Sequence, residues 1–443
     1  MASADSKFRS WGRHIRSDAT ALRVQSRAAD LPLPADSTSP LLPYGQGRSY
    51  GDSCLNNGGT LLENAGLNHF ISFDDESGVI SCESGVTLAE ILRIAVPRGW
   101  FLPVTPGTRY VSVGGAIAND VHGKNHHRAG TFGCHVLRFE LLRSDGSRML
   151  CSPDENEQWY RATIGGLGLT GMITRADIQL KPVMNAYLQE ETLRFSSLDE
   201  FFMLTRDSDA SYEYTVAWID CVAKGKDLGR GAFYRANHHG SASPGQRPKA
   251  PRTSIGFPFT PPMSLVNKLS LKAFNEAFYR FQPKRRSRTV HYQPFFYPLD
   301  SIQHWNRMYG PKGMLQYQCV LPEDHGKDVF RNMLKTISDS GSGSFLAVLK
   351  MFGDIPSPGM MSFPRPGITL ALDFPNSPEV MRLLDRLDDM TREAGGAVYP
   401  AKDARMSAGA FQEYFPQWRE FSEYIDPRFS SSFWRRVTGE SST

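Results

Sequence analysis

The chain has no apolar run approaching the roughly 20 residues a membrane-spanning helix requires, so it is not expected to cross a bilayer. Its first residues, Met1 to Arg9, carry no apolar segment of the secretory kind, and a signal peptide is not expected. Cysteine is scarce. Cys54, Cys82, Cys134, Cys151, Cys221 and Cys319 are scattered, with no C-x-x-C spacing, which points away from zinc or dithiol chemistry and toward reduced thiols in a cytoplasmic protein. Net charge is also small: +4 over 443 residues is too weak to imply nucleic acid as a partner. Acid is locally missing as well, since Glu276 is the only acidic residue from Arg247 to Arg288. Finally, no strand–GxGxxG–helix unit with an acidic residue about 20 positions on is evident, so the nicotinamide dinucleotide fold is not the natural match.

What is present is glycine in clusters. One lies in Tyr44-Gly45-Gln46-Gly47-Arg48-Ser49-Tyr50-Gly51-Asp52. A second runs from Pro106-Gly107-Thr108-Arg109 through Val113-Gly114-Gly115-Ala116-Ile117-Ala118-Asn119 to His122-Gly123-Lys124-Asn125-His126-His127. The third is Gly165-Gly166-Leu167-Gly168-Leu169-Thr170-Gly171. Taken singly, each could be a tight turn between strands. Together they offer repeated backbone N–H donors without Cβ obstruction, which a large phosphate-bearing cofactor needs.

A chain of this length calls for two or three units, and hydrophobic and charged fractions of 40% and 22% are those of a globular protein. Between about Leu41 and Val183 short β-type runs such as Val79–Cys82 and Phe139–Arg143 alternate with glycine turns, and Leu88–Val96 has helical apolar spacing. From about Asn185 to Ala397 the strands become aromatic, as in Tyr212–Trp218 and Leu315–Val320, with a helix expected over Lys327–Ile337. Ser241 to Pro262 is rich in Pro, Ser and Gly and reads as a loop. The expected fold class is α+β, with units over 7–184, 185–397 and 398–443.

His122, His126 and His127 invite comparison with a metal site, but adjacent histidines diverge and no Asp, Glu or Cys accompanies them at a metal spacing, so no metal is expected. Beside Lys124 these imidazoles could hydrogen-bond a flavin ring or a sugar hydroxyl, or be structural. Lys284-Arg285-Arg286-Ser287-Arg288, downstream of Phe274, Phe278, Tyr279 and Phe281, could meet anionic lipid headgroups or be a solvated face.

The ordered motifs Gly47–Asp52, Pro106–Arg109, Val113–Ala118, His122–His127 and Gly168–Gly171 resemble the FAD-binding family related to vanillyl-alcohol oxidase (PCMH type). Within that family they resemble the oxidases of polyprenylphosphoryl ribose. The likeness continues downstream in Ala217-Trp218-Ile219-Asp220, Leu315–Gln318, Lys350–Gly353, Leu372-Asp373-Phe374-Pro375 and Ala401-Lys402-Asp403. The resemblance implies a two-domain fold in which a substrate domain built on an antiparallel sheet is inserted into the FAD domain. It implies FAD contacts at Gly47, Arg48, Ser49, Tyr50, Gly51, Pro106, Gly107, Thr108, Gly114, Gly115, Ala118, Asn119, His122, Gly123, Lys124, Asn125, Gly168 and Gly171. Substrate contacts are implied at Lys124, Trp218, Tyr297, Gln318, Lys350, Ala371, Tyr399 and Lys402, with His122 and Lys402 as catalytic residues. Some relatives attach the flavin through a histidine where this chain has Arg48, so non-covalent FAD is expected. Where the family often has Asn-x-Cys, this chain reads Thr369-Leu370-Ala371, and the thiol that reactive inhibitors of the family modify is missing.

The reaction implied is oxidation of the 2′-hydroxyl of a polyprenylphosphoryl ribose, completed by a separate NAD(P)H-dependent short-chain reductase. Lys402 would take the hydroxyl proton or, kept charged, steady the alkoxide. The enzyme would be cytoplasmic, with peripheral contact to the inner face of the plasma membrane. The alternatives are a soluble FAD-dependent oxidase or dehydrogenase of a free sugar, an alditol or another secondary alcohol, and a non-catalytic module that binds polyprenyl-phosphate sugars.

Overall fold

The computed structural model describes residues 8–36, 38–241 and 255–439. Lys7, the expected start of the first unit, and residues 242–254 of the Pro/Ser/Gly-rich stretch lie outside the described residues. The fold mixes helices with sheets that are mainly antiparallel. A small parallel sheet carries Thr20–Arg23, Thr60–Glu63 and Leu41–Tyr44 in that spatial order. A five-stranded antiparallel sheet follows, ordered Phe70–Asp74, Val79–Glu83, Met172–Gln179, Val136–Leu142 and Arg148–Cys151. Helix Leu88–Ala95 begins at a reciprocal cap between Thr87 and Glu90, and buries Leu88, Ile91, Leu92 and Ala95 in one core with Ile80 and Ile178 of that sheet.

An eight-stranded antiparallel sheet is built wholly from residues between Tyr187 and Val398, with Arg285–His291 at one edge and Ala397–Val398 at the other. Its central strands obey the period-two rule. In Met314–Leu321, Tyr317 and Cys319 enter a core with Leu384 and Leu387 of helix Pro378–Glu393, and Phe330 and Leu334 of helix Glu323–Ser340. Gln316 and Gln318 face the opposite way, as do Thr369 and Ala371 of the paired strand Gly367–Pro375. The helix expected over Lys327–Ile337 is longer because acidic Glu323 and Asp324 favour its first turn and Gly341, at φ +70°, ends it.

The last segment returns to the first glycine-rich loop. The Tyr50 N–H donates to the Ala401 carbonyl at 2.9 Å, and Arg436 of helix Ser432–Thr438 bridges Asp52 at 2.8 Å and Asp403 at 2.9 Å. Among the described residues no helix is long and apolar enough to cross a membrane.

Candidate active site

A cavity of about 1020 Å³ lies between the glycine-rich loops and the open face of the eight-stranded sheet. That is at the upper end of the roughly 300–1,000 Å³ of ordinary small-ligand sites. All three glycine-rich segments reach it, through Gly47, Arg48, Ser49 and Tyr50, then Pro106, Gly107, Thr108, Gly114, Gly115, Ala118 and Asn119, then Gly168 and Gly171. Gly47 needs its hydrogen side chain: at φ +58° a Cβ would sit 2.2 Å from the Tyr44 hydroxyl. The Arg48 guanidinium lies 4.3 Å from the Trp11 ring centre, and its Nε donates to the Tyr110 carbonyl at 3.1 Å.

Several buried polar atoms on this wall have no hydrogen-bond partner among the described residues: Ser53 Oγ, Asn64 Oδ1, Ser84 Oγ and His122 Nδ1. Leaving such groups unpaired costs about 1–3 kcal/mol each, so the wall is built for a polar ligand. Orphaned donors and acceptors beside glycine loops fit a flavin dinucleotide.

The cavity also carries amines. The Lys350 Nζ donates to the Gly123 carbonyl at 3.1 Å, and Lys124 donates to the Phe295 carbonyl with its ammonium 4.4 Å from that residue's ring centre. Lys402 Nζ stands 4.1 Å from the Tyr50 ring centre, with no hydrogen bond or ion pair among the described residues. Burial pushes all three amines down. Lys350, also repelled by Lys124 and Lys402, falls to about 7. Lys124 falls to about 8 against the opposing attraction of Glu190. Burial likewise lowers Lys402, opposed by Asp373, whose own carboxyl burial pushes up although it accepts from Gln316 Nε2 at 2.5 Å.

His122 is held neutral, far below its ordinary pKa, by burial and by the nearby Lys350, His126 and Lys402. Its Nε2 lies 2.9 Å from Gln318 Nε2, and Gln318 also donates to Thr369 Oγ1 at 3.3 Å. With the Gln318 amide so oriented, His122 Nε2 accepts, and its orphaned Nδ1 carries the proton.

Trp218, Gln318, Lys350, Ala371, Tyr399 and Lys402, expected at the substrate, line this cavity together with His122, Gly123 and Lys124. Three expected residues do not. Gly51 stands behind the wall because its backbone packs on Asp403, whose carbonyl oxygen occupies the space a Cβ would need. Asn125 is buried and donates to the Pro103 carbonyl at 2.8 Å, bracing the second glycine-rich segment. Tyr297 hydrogen-bonds Thr105 Oγ1 at 2.7 Å and supports the Pro106 loop from outside. His126 and His127 also leave the cavity: His126 packs on Phe352 and His127 Nε2 approaches the Tyr212 carbonyl at 3.2 Å.

Sequence reasoning missed Trp11, Asn64, Ser84, Gln316 and the aromatic pair Phe274 and Phe278 on the wall, and Asp373 behind Gln316. For Gln316 and Asp373 a signal existed, since each is two residues from an expected contact on the same strand. Trp11 and Asn64 had none.

Residues 33–152 match the FAD binding domain family. The decaprenylphosphoryl-beta-D-ribose oxidase of Mycolicibacterium smegmatis is 36% identical over 96% of this chain and 96% of its own. The chain belongs to the decaprenylphosphoryl-β-D-ribose oxidase family. It is an FAD-dependent oxidoreductase. Two further likenesses cover a smaller part of the chain: the human Delta(24)-sterol reductase is 28% identical over 26% of this chain and 22% of its own. Cytokinin dehydrogenase 7 of Oryza sativa subsp. japonica is 27% identical over 40% of this chain and 35% of its own.

Proposed function

We propose that this oxidoreductase converts the 2′-hydroxyl of a polyprenylphosphoryl-β-D-ribose to the 2′-ketone, the first half of an epimerisation to the arabinose form. The observation that carries the reading is one cavity whose amine wall, at Lys124, Lys350 and Lys402, continues into an aromatic wall at Trp218, Phe274 and Phe278. Amines that repel one another's protons are ready to take them up when a phosphate arrives. The aromatic side matches a prenyl chain.

FAD supplies the hydride acceptor when bound. The groups fitted to hold it are the glycine-rich loops, Asn64, Ser84 and the Nδ1–H of His122. Arg48 offers no imidazole nucleophile and its guanidinium is engaged with Trp11 and Tyr110, which supports non-covalent binding. Lys402, with its pKa lowered by burial, is the candidate to receive the hydroxyl proton. Gln316 and Gln318 are positioned to orient sugar hydroxyls. In this reading residues 185–397 form a substrate unit set between two parts of an FAD unit, 7–184 and 398–443. A separate NAD(P)H-dependent short-chain reductase would consume the ketone, and the work would be done at the cytoplasmic face of the membrane.

A second reading, oxidation of a soluble sugar or alditol, is favoured by Thr369 and Ala371, small side chains that face the cavity where relatives often carry Asn and Cys. Anaerobic addition of polyprenylphosphoryl ribose to the flavoprotein, with a free polyol as control, separates the two. Bleaching of the flavin band by the lipid-linked sugar alone is expected. Bleaching by the polyol alone selects the second reading, and a protein that takes up no added FAD counts against both.

A further inference from the structure

The cavity does not end in the interior. Phe274 and Ile302 line it and are also exposed, 43% and 36% respectively, so its aromatic end opens at the surface between helix Lys268–Phe281 and the short strand Ile302–Gln303. Around that opening the apolar surface continues. Ile302 is paired in register with Ile255, which is 77% exposed. On the helix, Phe274, Ala277 and Phe281 follow at spacings of three and four, and so share one flank, with Phe281 86% exposed. The helix is held from its other side by buried Leu271 and Asn275, the latter donating to Asp220 Oδ1 at 3.0 Å, so the apolar flank is presented outward by a fixed element.

The unpaired charge of this helix and of the strand after it has one sign. Glu276 is the only carboxylate of the helix and of the strand that follows it, and it is taken up by Arg230 and Arg280. Arg285 and Arg288 are also spent, on Glu191 and Glu190 of the neighbouring strand. Lys268, Lys272, Lys284 and Arg286 form no ion pair among the described residues and are exposed. An apolar flank on an element whose unpaired charge is all cationic matches a leaflet of anionic lipid: the apolar groups enter the acyl boundary and the ammonium and guanidinium groups meet phosphates.

We infer that the rim formed by Ile255, Ile302 and the Phe274–Phe281 flank docks on an anionic bilayer and admits the prenyl tail directly from it. This rests on the lipid-linked substrate proposed above and deepens it. A cavity of about 1020 Å³ that must also hold a dinucleotide cannot contain a long polyprenyl chain, so most of the tail stays outside. If the opening lies against the leaflet, the tail never crosses water.

The test is flotation of the flavin-loaded protein on phosphatidylglycerol–phosphatidylcholine vesicles, with pure phosphatidylcholine vesicles as control. Binding to the anionic vesicles is expected, weakening with added salt. Phe281→Glu combined with Ile255→Glu, neither of which lines the cavity, should weaken it by about tenfold or more. Lys272→Glu with Arg286→Glu should do the same through charge alone. Both variants should keep their flavin band and their turnover of a short-tailed, water-soluble ribosyl phosphate. Vesicle binding unchanged in either variant, equal binding to uncharged vesicles, or loss of a self-associated species in place of vesicle binding would overturn the inference. The outcome is separable from that of the proposed reaction, because flotation needs no substrate and flavin bleaching by detergent-dispersed substrate needs no vesicle.

Discussion

Gly107 offers a direct measure of how closely the cofactor approaches the second glycine-rich segment. It lines the cavity, its φ is not positive, and a Cβ built there meets nothing within 4 Å. Gly107→Ala is therefore without strain in the protein alone, and by restricting the unfolded chain it should stabilise the apoprotein by about 0.4–1 kcal/mol. If the loop cradles the flavin dinucleotide, the added methyl enters space that the ligand fills. Overpacking of that size costs about 1–3 kcal/mol. At about 1.4 kcal/mol per tenfold, FAD should bind about 5- to 150-fold more weakly. Fluorescence titration of apoprotein with FAD gives the affinity, and thermal unfolding without FAD gives the stability. Gly47→Ala is the contrast: its Cβ would lie 2.2 Å from the Tyr44 hydroxyl and 2.5 Å from the Arg9 carbonyl, so it should lower apoprotein stability itself. Wild-type FAD affinity in Gly107→Ala would refute the cradle at that loop.

Lys402→Met should retain FAD and lose turnover by about 10²- to 10⁴-fold, the usual worth of a positioned acid–base group; normal turnover would remove Lys402 from the reaction. Lys350, pushed down to about 7 when folded, is charged below that pH and neutral above it. Binding of a soluble glycosyl phosphate should therefore weaken as pH rises beyond about 7, by at most about tenfold per unit. It should also take up a proton at pH 8, read by calorimetry in buffers of different ionisation enthalpy, and Lys350→Met should lessen the uptake, leaving the share of Lys124. Thiol alkylation followed by mass mapping should find Cys134 first, since it is exposed while Cys82, Cys151, Cys221 and Cys319 are buried. Ala371→Cys should add a second reactive site on the cavity wall, and protection of that thiol by substrate would locate the sugar.

Much of the site was legible because glycine clusters have few uses in a chain that buries a large ligand, and because motif order carried the family likeness. The expected residues that do not reach the cavity lie within motifs. Gly51, Asn125 and Tyr297 sit in the same short runs as true wall residues, yet one packs on backbone, one braces a loop and one supports it from behind. A motif marks a segment, whereas the direction of each side chain depends on the local turn. The antiparallel sheet was readable where alternation is strict: Gln316 and Gln318, or Thr369 and Ala371, point one way and their neighbours the other. Trp11 and Asn64 could not be found, because they reach the cavity from segments without any periodic or compositional mark. The basic run Lys284–Arg288 read as one patch, but its strand pairing hands two of its arginines to Glu190 and Glu191.

The Arg436 clamp has a consequence for how the enzyme is made. Asp52 follows the first glycine-rich loop, Asp403 adjoins Lys402, and both are held by a side chain near the far end of the chain. During synthesis, the earliest loop can fold against the parallel sheet long before residues 432–438 leave the ribosome, but it cannot yet be fastened to the lysine. Flavin capture should thus wait for residues 432–438, and nascent chains stalled before Ser432 should emerge colourless.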